Sequence, residues 1–143
     1  HILSIDKKQL NCPPVINGLT IKEIDLKDID IINDFYTYKS DESREKLIRE
    51  ISSRTSSALY DENGNILAWN LLHDDLSMGV MFVPPIYRGK GYAQIVAVDL
   101  MKKVIALGKT PYVQVVHTNN ASLALSQKLG FKKIFEAYWF RKQ

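Results

Sequence analysis

Apolar and polar positions along this chain change between two spacings, and each spacing predicts a different element. Alternating or β-rich runs predict strands, and apolar residues three or four apart predict amphipathic helices. The predicted strands cover residues 19–24, 57–60, 66–72, 78–83, 112–117 and 132–140, the last as one strand or two. The predicted helices cover residues 28–38, a segment beginning at Ser40 or Asp41, residues 92–107 and residues 121–129. Because strands both precede and alternate with helices, we expect an α/β (α+β) domain with helices on both faces of a mixed sheet.

Turn residues separate these elements. Asn63-Gly64 lies between two predicted strands, and an Asn-Gly pair is a strong indication of a β-hairpin. Gly108 and Gly130 follow the last two predicted helices, where glycine commonly ends a helix. Residues 1–18 are predicted to be an irregular lead-in, and residues 19–143 are predicted to form one domain. The chain begins at His1 rather than Met, so we treat it as a possible fragment of a longer protein.

Residues 82–93 have the most informative composition. An apolar run stops at the prolines 84–85, and Gly89 and Gly91 then precede the longest predicted helix. The first N–H groups of a helix have no intrahelical acceptor, and the helix dipole adds positive charge there. With Arg88 and Lys90 beside it, this turn is suited to phosphate oxygens. The alternative is an ordinary strand-to-helix turn in which small residues provide clearance.

The same stretch resembles the GNAT superfamily of acyl-CoA N-acyltransferases. Its pyrophosphate motif is [Q/R]-x-x-G-x-[G/A], and residues 88–93 match every fixed position. Residues 119–131 are similar to a second family block, N-x-x-A-x-x-L-Y-x-x-L-G-F, with Ser122 in place of Ala and Ser126 in place of Tyr. Within the superfamily, the chain most resembles the C-terminal domain of glycine N-acyltransferase-like (FR47-like) proteins, which share a Trp at the position of Trp69.

The resemblance implies a GNAT fold: a twisted, mostly antiparallel sheet of six or seven strands, splayed between the fourth and fifth. In the family, the pantetheine arm of coenzyme A lies in that gap and pairs with backbone groups of the fourth strand. Acetyl-CoA or another acyl-CoA is therefore the expected co-substrate, with no metal. The cofactor-binding residues that the resemblance implies are Met81, Phe82, Val83, Arg88, Gly89, Lys90, Gly91, Tyr92, Ala93 and Asn119.

The implied activity is direct transfer of an acyl group to the amine of a small acceptor, such as an amino acid, within a ternary complex. An ammonium acceptor must lose a proton, so the reaction requires a base. Related glycine acyltransferases use a Glu near the start of strand four, where this chain has Leu76 or Ser77. The candidates for the base are His117 and Asp75. Two further candidates in the same turn are His73 and Asp74.

Ser126 stands where many family members have the Tyr that protonates the departing thiolate. A thiolate is a good leaving group and needs little acid, so Ser126 is expected at most to hydrogen-bond the sulfur. The missing Glu and Tyr keep a second hypothesis open, a catalytically silent acyl-CoA-binding or scaffold domain. A third hypothesis keeps the enzyme but makes the acceptor a protein lysine or N-terminus.

Composition mainly excludes classes of partner and of site. The net charge of +3 is too small and too scattered to favour nucleic acid as a partner. The one cysteine, Cys12, excludes an intrachain disulfide and a multi-cysteine metal site. No apolar run approaches the roughly 20 residues of a membrane span, and no leader is visible, so a cytoplasmic or mitochondrial location is expected. Whether the protein is a monomer or a homodimer is left open.

Overall fold

The computed structural model describes residues 2–4, 17–114 and 120–135. Their strands form a seven-stranded sheet. Its strands are β1 (Ile2–Ser4), β2 (Thr20–Lys22), β3 (Ser56–Tyr60), β4 (Ile66–Leu72), β5 (Met78–Phe82), β6 (Tyr112–Gln114) and β7 (Lys132–Phe135). The α-helices of these residues are α1 (Ile29–Asp34), α2 (Ser43–Ser53), α3 (Tyr92–Ala106) and α4 (Asn120–Leu129). Short 3-10 turns precede α1 and follow β5, at Leu26–Asp28 and Pro85–Tyr87.

The strands lie in the order β2-β3-β4-β5-β6-β1-β7. Neighbouring strands are antiparallel except for β5 and β6, which run parallel. The mixed, mostly antiparallel sheet predicted from the sequence is therefore confirmed. Because β1 precedes every predicted strand, the predicted fourth and fifth strands are β5 and β6.

The hairpin between β3 and β4 forms as its turn residues predict. Gly64 adopts a φ of +80°, a left-handed conformation that glycine reaches without strain. The Asp61 carboxylate accepts hydrogen bonds from the backbone N–H groups of Asn63 and Asn65, both at 2.9 Å. These bonds, chiefly those from Asn65, lower the pKa of Asp61. The loop is thus held by its own side chains, which fixes the pairing of the two strands.

Helices cover both faces of the sheet, as expected. Apolar residues of α1 and α2 pack on one face against Trp69 and Leu71 of β4. Residues of α3 and α4 pack on the other face against Leu72 of β4 and Met78 of β5. The helix residues in these cores are Ile29, Ile32, Leu47 and Ile51 on the first face, and Val98, Leu100, Met101 and Leu129 on the second. The two layers bury every residue of β4.

The lead-in prediction was wrong at its start. Residues Ile2–Ser4 form β1, which inserts between β6 and β7 and pairs with both antiparallel. Three residues are too few to show an alternation, and their pairing depends on two strands that come more than a hundred residues later in the chain. Leu3 is buried in the core, so this short strand contributes an apolar side chain to the packing of the sheet.

The first two helices are shorter than the pattern predicts. α1 ends at Asp34, and α2 begins only at Ser43. The intervening turn is closed by side chains: the Ser43 hydroxyl donates to Asn33 Oδ1 at 2.6 Å and accepts from the backbone N–H of Ser40 at 3.0 Å. Apolar spacing continues beyond Asp34, but these local hydrogen bonds compete with the helix and end it.

Candidate functional site

The sheet splits between β5 and β6. Within the described residues, these strands are joined at one position, Met78 opposite Val113, and the rest of β5 has no partner on that side. We call this gap the split. It lies where the family resemblance implies a splay, between the predicted fourth and fifth strands. Pro84 and Pro85 follow β5 and lack the N–H that a further ladder requires, so the strand cannot continue.

A bulge distorts β5 next to the split. Leu71 lies opposite Gly79, but Trp69 lies opposite Phe82, so β5 carries one more residue than β4 over this stretch. Val80 there has a φ of +48°, which is a rare conformation for a β-branched residue. Such strain costs on the order of 1–3 kcal/mol and persists only where the surroundings enforce it. The bulge turns peptide groups of β5 out of the β4 ladder.

A cavity of about 600 Å³ opens at the split. Its walls come from both faces of the sheet, from the turn after β4 and from the segment after α1. We call it the main cavity. Residues of its wall that matter below are Phe35, His73, Asp75, Gly79, Phe82 and Ser126.

Aromatic side chains form one side of the main cavity. The Phe35 and Phe82 rings stack with centroids 4.8 Å apart, and Trp69 lies 5.7 Å from Phe82. Tyr36 and Tyr38 also line it, with their rings edge to face at 5.9 Å. The sequence pattern assigned Phe35 and Tyr36 to the apolar face of a helix and missed this role, because the helix ends before them. The cavity wall on this side is therefore flat and apolar.

Asp75 stands at the closed end of the split. Its carboxylate accepts from the Ser77 N–H at 2.9 Å, from the Ser77 hydroxyl at 2.6 Å and from Gln114 Nε2 at 2.7 Å. Its backbone carbonyl accepts a hydrogen bond from the Tyr112 hydroxyl. Burial acts to raise the pKa of Asp75, but the hydrogen bonds from Ser77 and Gln114 outweigh it and lower that pKa. Asp75 therefore ties the turn to β6, and its carboxylate is a weak proton acceptor.

The N-terminus of α3 forms a second, smaller pocket. Gly89 and Gly91 have φ values of +81° and +79°, and no described atom lies within 4 Å of the position a Cβ would take at either one. The first α3 bond runs from the N–H of Ile95 to the carbonyl of Gly91, which leaves the N–H groups of residues 92–94 without intrahelical acceptors. We call residues 88–94 the cradle. A pocket of about 150 Å³ lies over it.

Arg88 links the cradle to the split. Its Nε donates to the Val83 carbonyl at 2.9 Å, and its guanidinium lies 5.2 Å from the centre of the Phe82 ring. Arg88 also lines the small pocket with Tyr92. The guanidinium is thus held at the mouth of the pocket by β5, while Lys90 is exposed on the same turn.

Most of the sequence-predicted site residues come together here. Met81 and Phe82 line the main cavity, Val83, Arg88, Gly89, Gly91, Tyr92 and Ala93 line the small pocket, and Leu125 borders both. Ser126 is 7% exposed and faces the main cavity. His117 and Asn119 lie outside the described residues, so their predicted roles stay predictions.

The described residues contain neither a metal-ligand cluster nor a membrane-spanning helix. Among them, no three His, Cys, Asp or Glu side chains come together as metal ligands. No helix within the described ranges is both long and apolar enough to cross a membrane.

Solved structures share this architecture. An X-ray structure of a Drosophila protein superposes with a TM-score of 0.78 at 20% identity, covering 93% of this chain and 46% of that protein. An acetyltransferase of the GNAT family from Colwellia psychrerythraea gives 0.72 at 20% identity, covering 92% of this chain and 51% of that one. The present chain therefore spans about half the length of these two proteins.

A third structure is AAC(6')-Iy in complex with the bisubstrate analogue CoA-S-monomethyl-acetylneamine. It gives a TM-score of 0.69 at 14% identity and covers 87% of this chain and 98% of that one. At these identities the likeness establishes the fold.

No curated protein matches the chain by sequence. The family model described as FR47-like protein matches residues 56–140, which is more than half of the chain. The chain therefore belongs to the FR47-like family and has the GNAT fold.

Proposed function

We propose that this domain transfers an acyl group from acyl-CoA to the amine of a small acceptor by direct transfer in a ternary complex. The observation that carries this proposal is the continuity of the cradle with the split. The glycine-containing turn at the start of α3 adjoins an unpaired strand edge, which leads to a cavity of about 600 Å³. Coenzyme A has the same sequence of chemical groups: a pyrophosphate, an arm with two amides, and a thioester.

The pyrophosphate is assigned to the cradle. The N–H groups of residues 92–94 lack intrahelical acceptors, and the α3 dipole favours negative charge there. Arg88 and Lys90 add full positive charges. Asn119 follows β6 in the chain, and a contact from its amide to the cofactor stays a prediction from the sequence.

The pantetheine arm is assigned to the open edge of β5. Residues 79–82 have no β6 partner within the described chain, so their outward backbone groups are available to amides of the arm. The Val83 carbonyl accepts from Arg88, and we assign the Val83 N–H to an amide of the arm. The bulge at Val80 turns peptide groups away from β4, and we assign one of these N–H groups to the thioester carbonyl. A preorganised donor at a developing oxyanion is usually the largest catalytic contribution.

The acceptor is assigned to the main cavity, on the side lined by Phe35, Tyr36 and Tyr38. The cavity must hold the thioester as well, which favours a small amine such as an amino acid, with glycine the simplest. Aromatic walls favour an acceptor, or an acyl chain, with an apolar part. Asp75 is a weak base for the reason given above. We assign to Ser126, which lines the main cavity, at most a hydrogen bond to the leaving sulfur. His117 remains a candidate base from the sequence.

The first experiment measures binding and turnover separately. Calorimetric titration with CoA reports the cradle and the split, and thiol release from acetyl-CoA reports transfer to glycine, to other amino acids and to primary alkyl amines. We expect binding together with turnover on at least one small amine.

Binding without turnover on any amine would favour the silent acyl-CoA-binding domain. Turnover confined to lysine-containing peptides would favour a protein acceptor. The absence of CoA binding would overturn the proposal altogether.

A further inference from the structure

A buried carboxylate on α2 lies beside His73, which lines the main cavity. Glu50 is 3% exposed, and its Oε2 has no hydrogen-bond partner among the residues that the structure describes. Its Oε1 lies 3.6 Å from His73 Nδ1 and 3.8 Å from Lys46 Nζ. A carboxylate removed from water is costly unless it faces a cation or a donor. Its position on the core side of α2 therefore has to be explained by what lies beside it.

His73 stands between that carboxylate and the cavity. Its side chain is 31% exposed and forms part of the main cavity wall. The imidazole rests on Gly79: a Cβ at Gly79 would lie 2.1 Å from Nε2 and 2.5 Å from Cδ2. Gly79 directly precedes the bulged Val80. With Nδ1 turned to Glu50, the Nε2 side of the ring is therefore next to the split.

We propose that His73 is the general base of the acyl transfer and that Glu50 is the residue that positions it. This inference rests on the proposed function, since it needs an amine and a thioester in the main cavity. A carboxylate facing Nδ1 favours the tautomer with its proton on Nδ1, and Nε2 then carries the lone pair. The separation of 3.6 Å is longer than a hydrogen bond, and such contacts commonly tighten when substrate binds.

The acyl transfer can be written with the acceptor amine, the thioester and His73. An ammonium acceptor gives one proton to Nε2, and its nitrogen lone pair attacks the thioester carbonyl carbon. The C–N bond forms, the carbonyl oxygen carries the negative charge, and collapse of this intermediate breaks the C–S bond. The second nitrogen proton goes to the departing thiolate, and the proton on His73 is released to solvent.

The charged groups around the imidazole come from two sides. Glu50 and, behind it, Lys46 face it from α2, and Asp75 lies in its own turn. β5 presents only the glycine at this point. Glu50 is thus the carboxylate that contacts the ring directly, whereas Asp75 is already bound by Ser77 and Gln114.

Two substitutions test the base. His73→Gln removes it, and Gly79→Ala displaces it, because the added methyl group occupies the space of the imidazole. Gly79 has no left-handed φ, so alanine fits its backbone, and His73 can rotate away. We expect His73→Gln to keep its CoA affinity within about twofold, and both variants to lose on the order of 10²–10⁴-fold in kcat with glycine or an alkyl amine.

Glu50→Gln tests the positioning role, with Glu45→Gln on the exposed face of α2 as the matched control. We expect Glu50→Gln to lower kcat on the order of 10–100-fold, the scale on which losing the partner of an oriented histidine acts. The loss should fall on kcat, with KM for the amine little changed, because the imidazole is still present but is less well oriented. Glu45→Gln should leave both kcat and KM unchanged.

An acceptor that is already unprotonated distinguishes the loss of a general base from a structural defect. Hydroxylamine is largely unprotonated at neutral pH, so His73→Gln should lose much less with hydroxylamine than with glycine. Equal losses with both acceptors, or a loss in Glu50→Gln that falls on KM rather than on kcat, would overturn the inference while the proposed function stands. Wild-type protein that binds CoA but transfers to no amine would overturn both.

Discussion

The assignment of the pyrophosphate to the cradle can be tested with two substitutions that have nearly the same shape and differ in charge. Gly91 has a φ of +79°, and no described atom lies within 4 Å of its Cβ position, so a side chain there points into open space over the cradle. Asn and Asp have nearly the same shape and are the residues best tolerated in this conformation after glycine. Both variants should lose about 1–2 kcal/mol of stability from backbone strain. They differ only in the charge placed beside the ligand.

The magnitude follows from Coulomb's law. Two unit charges at 4 Å interact by about 1 kcal/mol in water and about 4 kcal/mol at an effective dielectric constant of 20. Gly91 is exposed, so the lower value applies to each phosphate. For two phosphate charges the penalty is about 2 kcal/mol, which corresponds to about 30-fold in Kd. We therefore expect Gly91→Asp to bind CoA about 30-fold more weakly than Gly91→Asn.

The assay is calorimetric titration of both variants with CoA at low and at high salt, with melting temperatures measured in parallel. The difference between Asp and Asn should shrink at high salt, because added ions screen exposed charges. The matched control is the same pair at Gly108, which has a φ of +77° and open space at the far end of α3. Equal CoA affinities of the Gly91 variants, or an equal Asp penalty at Gly108, would refute the cradle as the pyrophosphate seat.

Three further predictions concern stability and the leaving group. Tyr60→Phe removes the hydroxyl that donates to Asp28 Oδ2 at 2.8 Å, and since Asp28 is 7% exposed, the free energy of unfolding in urea should fall by about 1–3 kcal/mol. The pKa of Asp75 is lowered in the folded state, so its carboxylate stabilises the fold above the unfolded value of about 3.9 and loses that effect as the pH falls through the folded value. Asp75→Asn should therefore be less stable than wild type at pH 7, and the difference should vanish in acid thermal melts. A deficit that persists at low pH would assign it to packing rather than charge. Ser126→Ala should lower kcat by less than about tenfold, because a thiolate leaves readily without an acid; a larger loss in thiol-release assays would make Ser126 a required group.

Several features of the fold were predictable because they depend on neighbours in the chain. The turn at Asn63-Gly64, the glycine ends of α3 and α4 and the exposed N–H groups of the cradle all follow from backbone preferences within a few residues. Alternation and helical spacing likewise located β3, β4, β5 and α3, and a splay between the predicted fourth and fifth strands was expected from the family motif. The turns, the helix ends and the positions of these elements share a short-range cause, whereas the splay was expected only from the family resemblance.

The sequence by itself determined where chemistry is possible, and the tertiary structure decided which groups meet. Glycines at positive φ before a helix leave its first N–H groups uncovered, and this follows from the local sequence. No local rule places Ile2–Ser4 between β6 and β7, ends α1 so that Phe35 stacks on Phe82, or sets Glu50 beside His73. Those contacts join segments far apart in the chain, and they form because burying both faces of one sheet leaves each segment a single place to pack.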